Sequence, residues 1–172
     1  MPPPPPRPDA LDAADTEAIT RQLGRVPRGA LAVAYRCPCG QPAVVRTAPR
    51  LPDGTPFPTL YYLTCPRATS AIGTLESSGL MRTMEARLVA DDDLADRYRQ
   101  AHESYVAERE AIEDVPEISG VSAGGMPSRV KCLHVLAAHA LACGSGVNPL
   151  GDEVVEALGR WWSPGPCAVE AP

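Results

Sequence analysis

Residues 127–142 limit the fold of this chain more than any other stretch. Their sequence, PSRVKCLHVLAAHALA, predicts a helix that begins at Pro127 and is apolar on every side. Such a helix must be covered all round by other elements, so we expect it at the centre of the molecule. The 172 residues of the chain are close to the usual size of one domain. The chain is therefore predicted to fold as a single domain around this helix.

The flanking sequence predicts the strands and the other helices. Short runs rich in Val, Leu and Tyr, separated by Cys-Pro-Cys-Gly and Pro-Asp-Gly-Thr-Pro, are typical of antiparallel strands. These strands are expected near 30–36, 42–48 and 58–64. Helical spacing of apolar residues predicts the remaining helices, over about 12–23, 67–90 with a break at Gly79, 91–112 and 150–160.

The predicted fold class is therefore α+β. We expect a small antiparallel sheet of about three strands packed with four to five helices, in one domain over residues 11–160. Residues 1–10 are dominated by proline and are expected to be a disordered tail, because each ring removes a backbone donor. Residues 161–172 are expected to form a flexible C-terminal tail.

Charge and hydropathy exclude several functional classes. The formal net charge of -5 argues against nucleic-acid binding, which needs a surplus of Lys and Arg on one face. No apolar run approaches the roughly 18 residues of a membrane span, so no membrane insertion is expected. The N-terminal sequence also lacks the apolar stretch of a signal peptide. A cytoplasmic protein is predicted, and its six cysteines should then be free thiols.

A double glycine before the central helix is the first candidate site. Gly124 and Gly125 precede the predicted helix start, where unpaired backbone N–H groups and the helix dipole attract a phosphate or a carboxylate. Arg129 and Lys131 would add positive charge, although a helix places them about 200° apart. Asp53, in the loop LPDGTPFPT, is expected to border the same pocket. The alternative is a tight turn beside two solvated cations.

Cysteine and histidine side chains form the second candidate site. Three cysteines and one histidine would complete a tetrahedral zinc site, and the residues assigned to it are Cys37, Cys65, Cys132 and His134. The spacing around Cys37 is one residue shorter than that of a Cys-x-x-Cys-Gly knuckle, so the motif is not diagnostic. Buried free cysteines that act as small apolar residues are the alternative.

The predicted helix sets limits on this metal site. In one continuous helix Cys132 and His134 point in nearly opposite directions, so one ion is expected to accept Cys132 with only one histidine. His139 and Cys143, four residues apart, have the better chelating geometry. A catalytic thiolate at Cys132 or Cys37, with a histidine as base, is a further hypothesis, since a thiolate is favoured near cations and near a helix N-terminus.

Four strings carry a resemblance to a known family. RCPCGQPAV, LPDGTPFPTLYYLTCP, GGMPSRVKCLHVLAAHAL and GVNPLGDE resemble the DUF501 family over about residues 20–157. The resemblance implies a small cytosolic protein, mostly actinobacterial, with no assigned activity. Genes of that family often lie beside those of an exopolyphosphatase-like enzyme and a small septum-formation protein, which implies phosphate metabolism or cell division. The family pattern Arg-Cys-Pro-any-Gly includes Cys37 but not Cys39.

Three functions remain open at this point. The first is a cytosolic binding or regulatory protein that holds an anionic small molecule at Gly124 and Gly125. The second is an enzyme that uses a bound metal, such as zinc, or a cysteine. The third is a structural partner of the division machinery, which would bind through the helix 91–112 or through Trp161 and Trp162.

Overall fold

A computed structural model describes residues 8–167 and shows a single α+β domain, as predicted. Its sheet is antiparallel throughout, with the strand order β1-β2-β3-β4. The strands are β1 Asp9–Ala10, β2 Ala30–Arg36, β3 Pro42–Thr47 and β4 Tyr61–Leu63. The helices are α1 Ala13–Leu23, α2 Pro66–Ser77, α3 Leu80–Ala90, α4 Asp92–Glu110, α5 Leu133–Cys143 and α6 Pro149–Leu158, with a short 3-10 helix at Pro116–Ile118.

Both faces of the sheet are covered. Val44 and Val45 are consecutive in β3 and both are buried, and consecutive residues of a strand point to opposite faces. Helix α1 packs against β3, while α5 packs against β2 and β4. Helix α5 has nine buried residues and is the central helix that the sequence predicts. Helices α2 and α6 pack against it, and α4 contacts it through Tyr105, whose ring lies against that of His139.

The predicted tail of residues 1–10 extends too far into the chain. Asp9 and Ala10 form β1 and pair with Val33 and Ala32 of β2, while residues 1–7 of the predicted tail lie outside the described residues. Arg36 binds Asp9 at 3.0 Å and both carboxylate oxygens of Asp15 at 2.8 Å. These ion pairs hold β1 and the first turn of α1 to the end of β2.

Helices α5 and α6 meet almost backbone to backbone. A Cβ added to Gly151 of α6 would lie 2.2 Å from the carbonyl oxygen of Leu136 in α5, so no larger residue fits without movement. The Asn148 side chain caps α6, because its Oδ1 accepts the N–H of Gly151 at 2.9 Å. The close approach fixes the position of α6 on the central helix.

The predicted C-terminal tail is also too long. Trp161 and Cys167 are 8% and 2% exposed, and both belong to the hydrophobic core. The rings of Trp161 and Trp162 pack edge to face, with centroids 4.7 Å apart. Of the predicted tail, residues 168–172 lie outside the described part of the chain.

Candidate functional site

The central helix begins later than the sequence predicts. Helix α5 starts at Leu133 rather than at Pro127, and Cys132 is its N-cap in an extended conformation, with φ of -153° and ψ of 110°. Pro127 follows a cis peptide bond in the preceding loop. The prediction was wrong because residues 127–132 satisfy their backbone groups in a loop instead of in a helical turn. The double glycine is therefore not at a helix N-terminus.

The loop from Gly124 to Cys132 closes on itself. The carbonyl of Gly124 accepts the N–H of Lys131 at 2.8 Å, and that of Gly125 accepts the N–H of Arg129 at 2.9 Å. Gly125 has a φ of 97°, and a Cβ there would lie 2.7 Å from the Arg129 carbonyl oxygen. Glycine is thus required at 125 by a tight chain reversal.

Carboxylates of the protein itself occupy the backbone donors at this end of the helix. Glu85 accepts the N–H of Val130 at 3.0 Å and lies 3.5 Å from Arg129. Glu76 accepts the N–H of Leu133, the first residue of α5, at 2.7 Å. These contacts are the ones that the predicted anion would have made. Anion binding at Gly124 and Gly125 thus loses the helix start on which it was based and remains a prediction.

The other two residues of the predicted anion site contribute little to a pocket. Lys131 is exposed. Asp53 is also exposed, and its carboxylate binds Arg28 at 3.3 Å and accepts the N–H of Thr55 at 3.0 Å. These contacts organise the loop between β3 and β4.

The start of α5 instead brings together three side chains of the types that can bind a metal ion. The Cys132 Sγ atom lies 3.9 Å from Nδ1 of His134, and Oε1 of Glu76 lies 3.0 Å from the same nitrogen. All three donor atoms are within 4.8 Å of one another. Donor atoms around a tetrahedral zinc ion are about 3.3 to 3.8 Å apart. We call Glu76, Cys132 and His134 the Glu-Cys-His cluster.

The ring of His134 is held in the orientation that ligation needs. Its Nε2 lies 3.2 Å from the carbonyl oxygen of Thr69 in α2, so Nε2 carries the proton and Nδ1 faces Cys132 and Glu76. Metal-binding histidines commonly donate their second N–H to a backbone carbonyl in this way. The contact with Cys132, together with the charge of Glu76 and the Thr69 carbonyl, outweighs burial and raises the pKa of His134 to about 9. Without an ion the ring is therefore an imidazolium at neutral pH.

A cavity of about 320 Å³ lies beside this cluster, and Cys132 and His134 form part of its wall. The cluster therefore faces a space that can hold a small molecule. The rest of the wall combines tyrosine rings and hydroxyl groups with aliphatic side chains, from Thr59, Tyr61, Tyr62, Leu63, Thr69 and Val135.

The four predicted metal ligands divide between two clusters. Cys132 and His134 lie together with Glu76, whereas Cys37 groups with Cys39 and Cys167. Cys65 is fully buried at the N-cap of α2. The structure thus separates Cys37 from Cys132, so the predicted single site loses Cys37 as a ligand.

The buried histidine on α5 has the wrong tautomer for a metal ligand. The donor atoms of Glu108, His139 and Cys143 also lie within 4.8 Å of one another. However, Nδ2 of Asn148 donates to Nδ1 of His139 at 3.2 Å, since the Asn148 oxygen caps α6. The proton of the neutral ring is then on Nε2, the nitrogen for which the described residues offer no partner. The expected chelating pair His139 and Cys143 therefore does not present a free nitrogen.

Glu76 is the residue of the Glu-Cys-His cluster that sequence reasoning missed. It is far from Cys132 along the chain, and a single glutamate near the end of a predicted amphipathic helix carries no recognisable signal. The packing of α2 against α5 brings its carboxylate to the start of α5.

Comparison with known proteins identifies the family. The model of the family described as "Protein of unknown function (DUF501)" matches residues 33–156. The chain belongs to the DUF501 family. The matched region of this DUF501 chain contains Glu76, Cys132 and His134, together with β3, β4 and helices α2 to α5. No curated protein and no solved structure matches the chain. Within residues 8–167, no helix has the length and apolar character needed to cross a membrane.

Proposed function

We propose that this chain is a metal-dependent enzyme that binds a divalent cation such as Zn²⁺ through Glu76, Cys132 and His134. The observation that carries the proposal is the convergence of one carboxylate oxygen, one sulfur and one ring nitrogen within 4.8 Å at the wall of a cavity. Nitrogen, sulfur and carboxylate oxygen are the donor types that zinc prefers. The Thr69 carbonyl supports the same assignment, since it orients the His134 ring.

The number of ligands favours a catalytic role over a structural one. Structural zinc sites have four protein ligands, whereas catalytic sites have three and leave one position for water or substrate. Three protein donors are grouped here, and Cys132 and His134 line the cavity. A cation in such a site acts as a Lewis acid or lowers the pKa of a bound water. The reaction class we propose is therefore metal-assisted hydrolysis or a related polar reaction.

The cavity indicates the substrate class. A volume of about 320 Å³ suits a small molecule, and its lining offers tyrosine rings and two threonines. A divalent cation would supply the positive charge that an anionic ligand requires. The expectation of an anionic small ligand thus becomes part of this proposal, with the metal in place of the double glycine.

A cysteine nucleophile is the second candidate function. Cys132 caps α5 and lies 3.9 Å from the His134 ring, which is protonated at neutral pH in the absence of an ion. An imidazolium beside a sulfur at the start of a helix is an environment in which reactive cysteines occur. Under this alternative Cys132 attacks the substrate and His134 donates or accepts the proton.

Metal content of the purified protein tests the first proposal. We expect the His134→Ala and Cys132→Ala variants each to contain about one equivalent of metal less than wild-type protein. Elemental analysis after exhaustive dialysis measures the content. His102→Ala is the matched control, because His102 binds Ser122 at 2.8 Å and lies outside the cluster. Equal metal content in wild type and in both cluster variants would overturn the proposal.

Alkylation separates the two candidates. If Cys132 is a metal ligand, iodoacetamide modifies it slowly in the loaded protein and faster after a chelator removes the ion. If Cys132 is a free nucleophile, iodoacetamide modifies it rapidly whether or not a chelator is present, and the rate of modification falls in the His134→Ala variant. Peptide mass mapping identifies the modified residue.

A further inference from the structure

Four cysteines gather at a second place in the fold, away from the Glu-Cys-His cluster. The Sγ atoms of Cys37 and Cys167 are 3.6 Å apart, and those two sulfurs and Cys39 Sγ all lie within 4.8 Å of one another. Cys65, which is fully buried, belongs to the same core cluster as Cys37 and Cys167 and is a neighbour of Cys167. Three separate parts of the chain thus converge: the turn between β2 and β3, the N-cap of α2 and the C-terminal segment.

The spacing of these sulfurs is suited to a tetrahedral ion. Zinc–sulfur bonds of about 2.3 Å place neighbouring sulfurs about 3.8 Å apart, close to the 3.6 Å between Cys37 and Cys167. The surroundings are also appropriate, since Cys37, Cys65 and Cys167 are at most 2% exposed and Cys39 is partly buried. A dry, closed set of four thiols is the arrangement of structural zinc sites.

The turn that carries Cys37 and Cys39 is closed by its own backbone bonds. The N–H of Cys37 donates to the Gln41 carbonyl at 2.9 Å, and the N–H of Gly40 donates to the Cys37 carbonyl at 2.8 Å. These bonds hold both cysteines in one tight turn, so their sulfurs lie together beside that of Cys167.

We propose that Cys37, Cys39, Cys65 and Cys167 form a closed four-thiolate site for a structural Zn²⁺ ion. Binding deprotonates the thiols and releases their protons to solvent, and no electron transfer is involved. This site is independent of the proposed catalytic one and uses none of its ligands.

The number of sulfurs distinguishes this site from a disulfide. A disulfide between Cys37 and Cys167 would use two sulfurs and leave Cys39 and Cys65 without a role beside it. A single ion would bind the grouped sulfurs of Cys37, Cys39 and Cys167 and would take the neighbouring Cys65 as its fourth ligand. The cluster also differs from cysteines that are buried separately, since three of its sulfurs lie within 4.8 Å of one another.

The position of the site gives it a structural task. Cys65 immediately precedes α2, the helix that carries Thr69 and Glu76 of the Glu-Cys-His cluster. Cys167 ends the described C-terminal segment, whose Trp161 packs on the core. A zinc ion would therefore fasten this segment and the start of α2 to the β2–β3 turn.

Site-specific metal loss tests the inference in the full chain. We expect Cys37→Ser and Cys167→Ser each to lose about one equivalent of zinc relative to wild type, while Cys143→Ala keeps it. Cys143 is the matched control, because it is also buried but groups with Glu108 and His139. The His134→Ala variant should keep the zinc of the four-cysteine site even if it loses the ion of the Glu-Cys-His cluster. Failure of one proposal can therefore be distinguished from failure of the other. Unchanged zinc content in both serine variants would overturn the inference.

A measurement on wild-type protein covers the case in which the serine variants do not fold. With Co²⁺ in place of zinc, four thiolates give intense sulfur-to-metal charge-transfer absorption in the near ultraviolet, which we expect to persist in His134→Ala. Cys39 should also be protected from alkylation until a chelator is added. A Cys37–Cys167 disulfide peptide from protein purified without reductant, or alkylation of Cys39 that does not respond to the chelator, would reject the zinc site.

Discussion

The Cys132 Sγ atom lies 3.9 Å from His134 Nδ1, although only one residue separates the two along the chain. In a continuous helix two such side chains point about 200° apart. They meet here because Cys132 is an extended N-cap and His134 is already inside the helix. The same boundary exposes the N–H of Leu133 to Glu76, which brings the third side chain to the cluster.

The charge of Glu76 should matter for metal binding more than its hydrogen bond. Glu76→Gln keeps an oxygen that can accept the Leu133 N–H but removes the negative charge, so we expect zinc affinity to fall by about tenfold or more. Competition against a chromogenic chelator measures the change. Glu85→Gln is the control, since Glu85 makes the equivalent bond to Val130 outside the cluster. Equal losses in the two variants would contradict the role assigned to Glu76.

The contact between α5 and α6 should not accept a methyl group. Gly151→Ala places a Cβ 2.2 Å from the Leu136 carbonyl oxygen, and we expect it to reduce the free energy of unfolding by about 3 kcal/mol. Gly73→Ala is the matched control, because Gly73 is also helical and its added Cβ meets nothing within 4 Å. That substitution should raise stability by about 0.5 to 1 kcal/mol. Urea denaturation of both variants measures the difference, and a stable Gly151→Ala protein would refute the close packing.

The regular elements were predictable because local patterns determine them. The runs of Val and Tyr identified β2, β3 and β4, and the apolar helix proved central. The start of that helix was not predictable in the same way. Residues 127–132 have helical spacing and a proline suited to a first turn, but contacts with Glu85 and with Gly124 hold them in a loop. Both are tertiary contacts that a local pattern does not contain.

The candidate site was predicted in part for the same reason. Cys132 and His134 were identified as metal ligands from residue type alone, and the structure brings them together. Glu76 was missed, since its role depends on how α2 packs against α5. Cys37 was assigned to the same site as Cys132, although the fold groups Cys37 with Cys39 and the C-terminal Cys167. Residue type can indicate a kind of chemistry, but the grouping of distant side chains follows from the tertiary fold.

The buried His139 should make the protein sensitive to mild acid. Burial lowers the pKa of His139 to about 4, below its ordinary 6.5. At a pH between these two values, His139 is protonated in the unfolded chain but not in the folded chain. The free energy of unfolding therefore falls as the pH decreases. Between about pH 7 and pH 5 this residue should cost about 2 kcal/mol of stability.

The substitution His139→Gln isolates that contribution. Glutamine offers an amide oxygen to Asn148 and does not titrate, so the variant should lose about 2 kcal/mol less than wild type between about pH 7 and pH 5. Chemical denaturation at the two pH values measures this. The Asp15–Arg36 pair does not interfere with this measurement. It changes stability only at lower pH, because Arg36 holds the pKa of Asp15 below its usual 3.8. Parallel pH profiles of the variant and wild type would contradict a neutral His139.

A buried arginine should be the most costly charged side chain to remove. Arg109 of α4 is 1% exposed, and its guanidinium donates to the carbonyls of Pro58, Ile118 and Val121. These bonds join α4 to the loop before β4, to the end of the 3-10 helix and to the loop after it. Arg109→Met fills most of the space but removes the donor of the Pro58 and Val121 carbonyls, while the Ile118 carbonyl keeps the N–H of Val121 at 3.1 Å, so we expect a loss of about 3 kcal/mol. Arg99→Met on the same helix removes an exposed pair with Glu103 and should leave the urea midpoint unchanged. Equal midpoints for the two variants would show that these carbonyls find other partners, and the two loops would then not depend on Arg109.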